Sequence, residues 1–276
     1  MALRLHPVAP ARGWAWIRDG VRLFRRRPLQ FTGLFVSFMF AVLLLMLVPV
    51  VGGVLGLATL PLLTLGFMIG SRSALADGTV HALQLIEGLR TPERARRRAL
   101  LMLCAMYALG SMIVITLSDW VDGGTFEQLQ VALATAGGAP TPEVNTLLAD
   151  PRLVEGMLVR AGLATLMSVP FWHAPALVYW GGQGAGQALF SSTLALWRAR
   201  GAFTVYALAW AGLLLSAALV VVLLIVAFGG RQIVAMLTLP IGLVTSAIFY
   251  VSLWFSFNDS FGADEALAAP TSPGAP

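Results

Sequence analysis

Six stretches of this chain contain no aspartate, glutamate, lysine or arginine: Phe31 to Val48, Val50 to Ile69, Ala99 to Leu117, Ala161 to Trp180, Ala202 to Phe228 and Ile233 to Phe257. A helix rises 1.5 Å per residue, so about 20 residues cross a hydrocarbon core of about 30 Å. Each stretch is long enough to do so, and the chain is expected to be an all-α, polytopic membrane protein with six transmembrane helices. Composition agrees. Of 276 residues, 58% are hydrophobic and only 11% charged, whereas a soluble domain carries about 25% charged residues. A cytosolic enzyme and a disordered chain are both excluded.

The first two stretches are joined by Pro49, Val50, Val51, Gly52 and Gly53, and the last two by Gly229, Gly230 and Arg231. Both connections are short and rich in helix breakers, so each pair is expected to form a tight hairpin. The first stretch follows basic residues as a signal peptide would. Its apolar run is too long, lacks a small-residue cleavage site and runs directly into a second span, so it reads as a retained helix. The expected organisation is a basic, amphipathic segment over residues 1–28, a six-helix membrane domain over 29–262 and a disordered tail over 263–276. The tail is Pro-, Ala- and Ser-rich and too poor in apolar bulk to fold alone.

All 18 basic residues are arginine, against 13 carboxylates, and the net charge is +5. Seven (Arg4, Arg12, Arg18, Arg22, Arg25, Arg26, Arg27) precede the first span, six lie between Gly70 and Arg98, and Arg198 and Arg200 follow the fourth span. Only Arg152, Arg160 and Arg231 fall on the other side. This asymmetry predicts a bacterial inner-membrane protein with both termini in the cytoplasm. The arginines flank spans instead of forming a basic patch on a soluble face, so no nucleic-acid partner is expected. The connection from Ser118 to Arg160 carries Asp119, Asp122, Glu127, Glu143, Asp150 and Glu155. No two stand at a fixed ligand spacing, no histidine is beside them, and a solvated loop without a metal is expected.

Between Arg12 and Arg27, Trp14, Ile17, Val21 and Phe24 recur at three and four, the spacing of one helical face. Arg18, Arg22, Arg25 and Arg26 occupy much of the remainder. Such a helix is expected to lie in the membrane surface with its arginines on anionic headgroups, before Pro28 breaks it. Leu85 to Arg98 precedes the third span in a similar way, and Leu194 to Arg200, with Trp197 and Arg198, precedes the fifth. The chain thus reads as three units of surface helix plus hairpin.

No charged side chain falls within the six stretches, which argues against an ion-coupled pump. His173 is the one embedded residue that titrates near neutrality. It sits in Phe171-Trp172-His173-Ala174-Pro175-Ala176-Leu177, between Pro170 and Pro175. Two prolines five apart remove backbone donors and free carbonyls. Two readings follow: a kinked helix whose histidine bonds locally, with Trp172, Tyr179 and Trp180 as an interfacial belt, or a kink that opens a cavity where His173, Trp172 and Tyr179 bind a ligand or move a proton. Cys104 has no partner in the chain and reads as a packing residue. Gly52 with Gly56 and Gly66 with Gly70 are spaced for close helix packing. The run Gly182-Gln183-Gly184-Ala185-Gly186 follows no strand and reads as a flexible loop. No nucleophile, base and orienter occur together, and no P-loop or clustered Cys/His set is present, so neither an enzyme nor a cofactor is expected.

The segment ending Leu23-Phe24-Arg25-Arg26-Arg27-Pro28-Leu29, the Phe171 to Leu177 motif, Trp197-Arg198, and the closing Phe257-Asn258-Asp259-Ser260-Phe261 resemble a family of uncharacterised six-span bacterial inner-membrane proteins. The resemblance covers about residues 12 to 262. It departs at Asn258, where a basic residue is more usual. It implies an inner-membrane location and supplies no catalytic residue. The expected role is a lipid-associated, envelope-maintenance or interaction component. The alternative is a transporter or channel for a small neutral or hydrophobic solute.

Overall fold

The computed structural model describes residues 3–137, 141–228 and 231–262. Regular structure among them is helical throughout: α1 (Arg12–Arg26), α2 (Pro28–Met46), α3 (Gly52–Ala58), α4 (Leu60–Leu75), α5 (Gln84–Glu87), α6 (Arg94–Asp122), α7 (Thr125–Thr135), α8 (Pro142–Leu148), α9 (Pro151–Ser168), α10 (Ala174–Tyr179), α11 (Ala185–Arg198), α12 (Arg200–Phe228) and α13 (Arg231–Phe261). Six segments are long and apolar enough to cross a membrane: Pro28–Met46, Gly52–Leu75, Arg94–Asp122, Pro151–Tyr179, Arg200–Leu223 and Leu239–Phe261. The hairpin turn at Gly229 and Gly230 and the tail from Ala263 lie outside the described residues.

Local chemistry sets several boundaries. Pro28 opens α2 at its first position, where its missing N–H would have no partner anyway, and it holds Arg27 out of helical geometry at φ −143°. Asp150 caps α9 by accepting from the Arg152 N–H at 2.9 Å, and Thr141 caps α8 through the Val144 N–H at 3.2 Å. The stretch from Ser118 to Arg160 is therefore largely helical, a correction to the expected solvated loop. α6 runs on to Asp122, and Leu129, Ala132, Val144 and Leu153 gather α7, α8 and α9 into a small apolar cluster. Arg160 ties this end together, pairing with Asp119, donating to Ser118 Oγ at 2.8 Å and lying over the Phe126 ring at 4.1 Å. A further correction concerns the middle unit. Arg94 to Arg98 belong to the span helix α6 itself, preceded only by the single turn of α5 and a turn of 3-10 helix. The Gly-rich run is shortened as well, because α11 starts at Ala185.

The last span is the axis of the molecule. Leu253, Trp254 and Phe257 of α13 pack with Leu65, Met68, Leu100, Leu103 and Leu177. Ala247 and Val251 pack with Phe31, Leu34, Phe67 and Leu63 from the first two spans. Gly52 and Gly56 meet Leu45, Val42 and Met46 across the first hairpin, and Gly66 and Gly70 meet the Val80 to Leu85 segment, so both glycine pairs serve packing within the chain. Cys104 is buried. The fifth span is peripheral: 6% of its most apolar stretch is buried inside the protein, against 56% for the second.

α1 is not free on a surface. Trp16, Ile17, Leu23 and Phe24 are buried in the protein, whereas Trp14 is 51% exposed. Trp16 packs on Phe203 and Tyr206 of α12 at ring separations of 4.9 and 5.8 Å. Gly13 abuts the Ala202 main chain, and Gly20 lies so close to α13 that an added Cβ would come within 2.8 Å of Ser252 Cβ. The apolar face expected to enter lipid is thus split. Ile17 joins the cluster of Phe203, Tyr206 and Trp210 of α12, Phe24 stacks on Phe31 of α2 within the cluster that holds Ala247 and Val251 of α13, and Arg18, Arg22, Arg25 and Arg26 are exposed. Ahead of α1, the His6 N–H donates to the Ser260 carbonyl at 2.9 Å, so the N-terminal segment runs against the end of α13.

Candidate functional site

The fourth span breaks where its prolines predict. α9 stops at Ser168, Val169–Phe171 form a 3-10 turn containing Pro170, and α10 restarts at Ala174 with Pro175 in its first turn. A backbone donor freed there has to be satisfied in lipid. The His173 N–H reaches Ser192 Oγ of α11 at 3.4 Å. The His173 side chain is fully buried, its Nε2 lying 2.9 Å from Ser256 Oγ of α13. Ser256 donates its own hydroxyl proton to the Leu253 carbonyl at 2.9 Å, so the network assigns the imidazole proton to Nε2, which donates to Ser256. Phe203, Phe257 and Phe261 surround the ring at 5.7 to 5.8 Å. Nδ1 is buried without a partner.

This packing makes the ring a space-filler with one hydrogen bond. His173→Ala is expected to lower stability by about 2–4 kcal/mol through the void it leaves. Ser256→Ala opens no comparable void but leaves the buried His173 Nε2–H without its acceptor, and is expected to cost less, about 1–2 kcal/mol. Thermal unfolding of the two variants in detergent checks the order; equal shifts would mean that the hydrogen bond, not the packing, holds the break.

Of the three residues grouped by sequence, His173 and Trp172 share Phe203 as a neighbour, and Tyr179 stands apart. Trp172 turns toward α12 and α13, at 5.9 to 6.1 Å from Phe203, Tyr206 and Phe249. Tyr179 donates its hydroxyl to Glu87 at 3.3 Å and stacks edgewise on Trp180 at 5.5 Å. Trp172 borders a cavity of about 320 Å³ beside the break, reached also by Pro61 near the interruption of the second span at Thr59 and by Thr64, Tyr107 and Ser168.

A second constellation joins the ends of the helical core. Arg12 of α1 grips Asp259 of α13, with Nε 2.6 Å from Oδ2 and Nη2 3.1 Å from Oδ1, and the Trp16 indole N–H donates to the same Oδ2 at 2.7 Å. Donation to Asp259 holds the Arg12 guanidinium further above its ordinary range, so the arginine stays charged at every pH the protein meets. Sequence reading missed this cluster. Nothing local pairs residues 247 positions apart.

α1 also completes an apolar groove of about 490 Å³. Ile17 and Val21 form one end of it, Trp210, Leu214 and Ala218 of α12 one wall, and Ile241, Gly242 and Thr245 of α13 the other. In helical register, Arg18, Arg22 and Arg25 form the stripe of α1 next to Ile17 and Val21. Asp19 offsets part of this charge, at 3.6 Å from Arg18 and 3.3 Å from Arg22. At the start of α12, Arg200 lies 5.7 Å from the Trp197 ring centroid; Trp197 is 70% exposed and Arg198 is exposed beside it. No group of three or more His, Cys, Asp or Glu side chains suited to a metal occurs among the described residues.

Six apolar crossings, an interrupted fourth span and a terminal helix locked onto the last one define a multi-pass α-helical membrane protein. Over 274 residues the chain is 33% identical to a probable inner membrane protein of Burkholderia thailandensis, covering 99% of this chain and 97% of that one. The chain belongs to the family of that inner-membrane protein. No family model matches it, and no solved structure matches it.

Proposed function

We propose that this protein is a non-enzymatic, lipid-associated component of the inner membrane, with both termini in the cytoplasm, and that the groove between α1, α12 and α13 takes an acyl chain of an anionic phospholipid. The observation that carries this reading is an apolar groove of about 490 Å³ that reaches Ile17 and Val21 of α1, the residues beside which Arg18, Arg22 and Arg25 stand in helical register. An acyl chain gains by burial along Leu214, Ala218 and Ile241, and its phosphate is held at the end where Arg18, Arg22 and Arg25 stand. The cytoplasmic placement of that end follows from the arginine asymmetry.

Native mass spectrometry of protein released from its own membranes tests this. Gly242 has open space around its Cα, so Gly242→Phe is expected to fill the groove without disturbing the fold. That variant, and the Gln replacement of Arg18, Arg22, Arg25 and Arg26, are each expected to lower retained anionic lipid about tenfold. Retention unchanged in both would remove the proposal.

One observation favours a second reading, a transporter of a small neutral solute: the cavity of about 320 Å³ lies between two interrupted spans, an arrangement that transporters use for binding. A discrete small molecule that copurifies with the wild type and with Gly242→Phe, and is lost on Trp172→Ala, would replace the lipid reading with this one.

A further inference from the structure

A cavity of about 650 Å³ opens between the end of α4, the α5 segment, the start of α6 and the end of α10. Arg72, Arg90 and Arg96 line it from three different elements, facing Tyr179 and Trp180, with Glu87 as the carboxylate on its wall. Arg96 is partly engaged: its Nη1 donates to the Tyr179 carbonyl at 3.1 Å and its Nε lies 2.8 Å from Glu93. Glu87 accepts from the Tyr179 hydroxyl. Among the described residues, no carboxylate lies within 4.0 Å of Arg72 or Arg90. Trp180, held edgewise by Trp254 at 5.3 Å, stands as a fixed wall with the Arg72 guanidinium 6.0 Å from its ring centroid.

We infer that this cavity is a binding site for a phosphate monoester, with Arg72 and Arg90 as its principal ligands and Arg96 as the third. Two guanidinium groups without carboxylate partners match the charge of about −1.5 to −2 that a phosphate monoester carries near neutrality. The planar fork of arginine bonds phosphate oxygens in pairs. The volume lies within the 300 to 1,000 Å³ usual for small-ligand sites, and the aromatic wall packs against whatever organic group the phosphate bears. The site is separate from the α1 groove and stands or falls independently of it.

Isothermal titration calorimetry of the purified full chain in neutral detergent tests this with two probes, glycerol 3-phosphate and dioctanoyl phosphatidic acid, and dioctanoyl phosphatidylcholine as the headgroup control. Arg90 is exposed and, among the described residues, its side chain makes no hydrogen bond or ion pair, so Arg90→Gln is expected to fold as the wild type, and thermal unfolding without ligand checks this. Measured in a chain that already carries Arg18→Gln, Arg22→Gln and Arg25→Gln, which takes the α1 stripe out of the titration, Arg90→Gln, and Arg72→Gln with Arg90→Gln, are expected to weaken binding of the phosphate probes tenfold or more. Equal binding of both probes assigns the site to a soluble phosphoester, and binding of phosphatidic acid alone assigns it to a lipid headgroup. Binding of neither probe, binding that survives loss of Arg72 and Arg90, or equal binding of phosphatidylcholine overturns the inference.

Discussion

Gly20→Leu is expected to destabilise the protein by about 3 kcal/mol, lowering the unfolding temperature by several degrees and broadening its elution in detergent. The cause is distance. A Cβ at residue 20 would stand 2.8 Å from Ser252 Cβ and 3.1 Å from Ser252 Cα, atoms that cannot move without shifting the central helix. Gly33→Leu in α2 is the comparison: nothing lies within 4 Å of its added Cβ, so a near-wild-type melt is expected. If Gly20→Leu melted like Gly33→Leu, α1 would not dock on α13, and the groove that α1 completes would lose one end.

Asp259→Ala is expected to cost about 2–3 kcal/mol, and the reason can be separated into parts. The Arg12 side chain is 41% exposed, so its ion pair contributes about 0–1 kcal/mol after solvent screening. The Trp16 indole is fully buried. Without Asp259 its N–H has no acceptor, and a buried unsatisfied donor costs about 1–3 kcal/mol. The indole bond therefore outweighs the ion pair. Double-mutant cycles check this: coupling of Asp259→Ala with Trp16→Phe, which keeps an aromatic ring and removes the donor, is expected to exceed coupling with Arg12→Gln. The reverse order would make the bidentate ion pair the main tie between the two helices.

Reading the sequence alone located the parts more surely than their faces. The six crossings were legible because a span needs only length and apolarity, properties of a single stretch of chain. The break at Pro170 and Pro175 was legible for a similar reason, since a proline's missing N–H acts on its own helix. The α1 periodicity was also visible, but the stripe chosen was Trp14, Ile17, Val21 and Phe24. The packed stripe is Gly13, Trp16, Ile17, Gly20, Leu23 and Phe24. Hydrophobicity underweights glycine, which is buried here because it lets two helix backbones approach. Trp14 and Trp16 are indistinguishable by type, and only the position of Phe203, Tyr206 and Asp259 decides which of them is enclosed.

The grouping of His173, Trp172 and Tyr179 shows the same limit. His173 and Trp172 both meet Phe203 of α12 and part only at α13, toward Phe257 and Phe249, whereas Tyr179 at the end of α10 is received by the α5 segment. Arg72, Arg90 and Arg96 gave no local motif, because each belongs to a different element and they converge only where α4 ends, the turn after α5 passes and α6 begins.

By itself, then, the sequence determined that the chain is an all-α membrane protein, where it crosses and where its fourth span breaks, because the bilayer acts on each stretch as a uniform apolar solvent and requires no partner. Tertiary structure alone decided which face of α1 is enclosed, which way His173 points and which arginines share a cavity. Those outcomes depend on shape and hydrogen bonding between residues far apart in the chain, as Arg12 and Asp259 are, and no local pattern encodes such contacts.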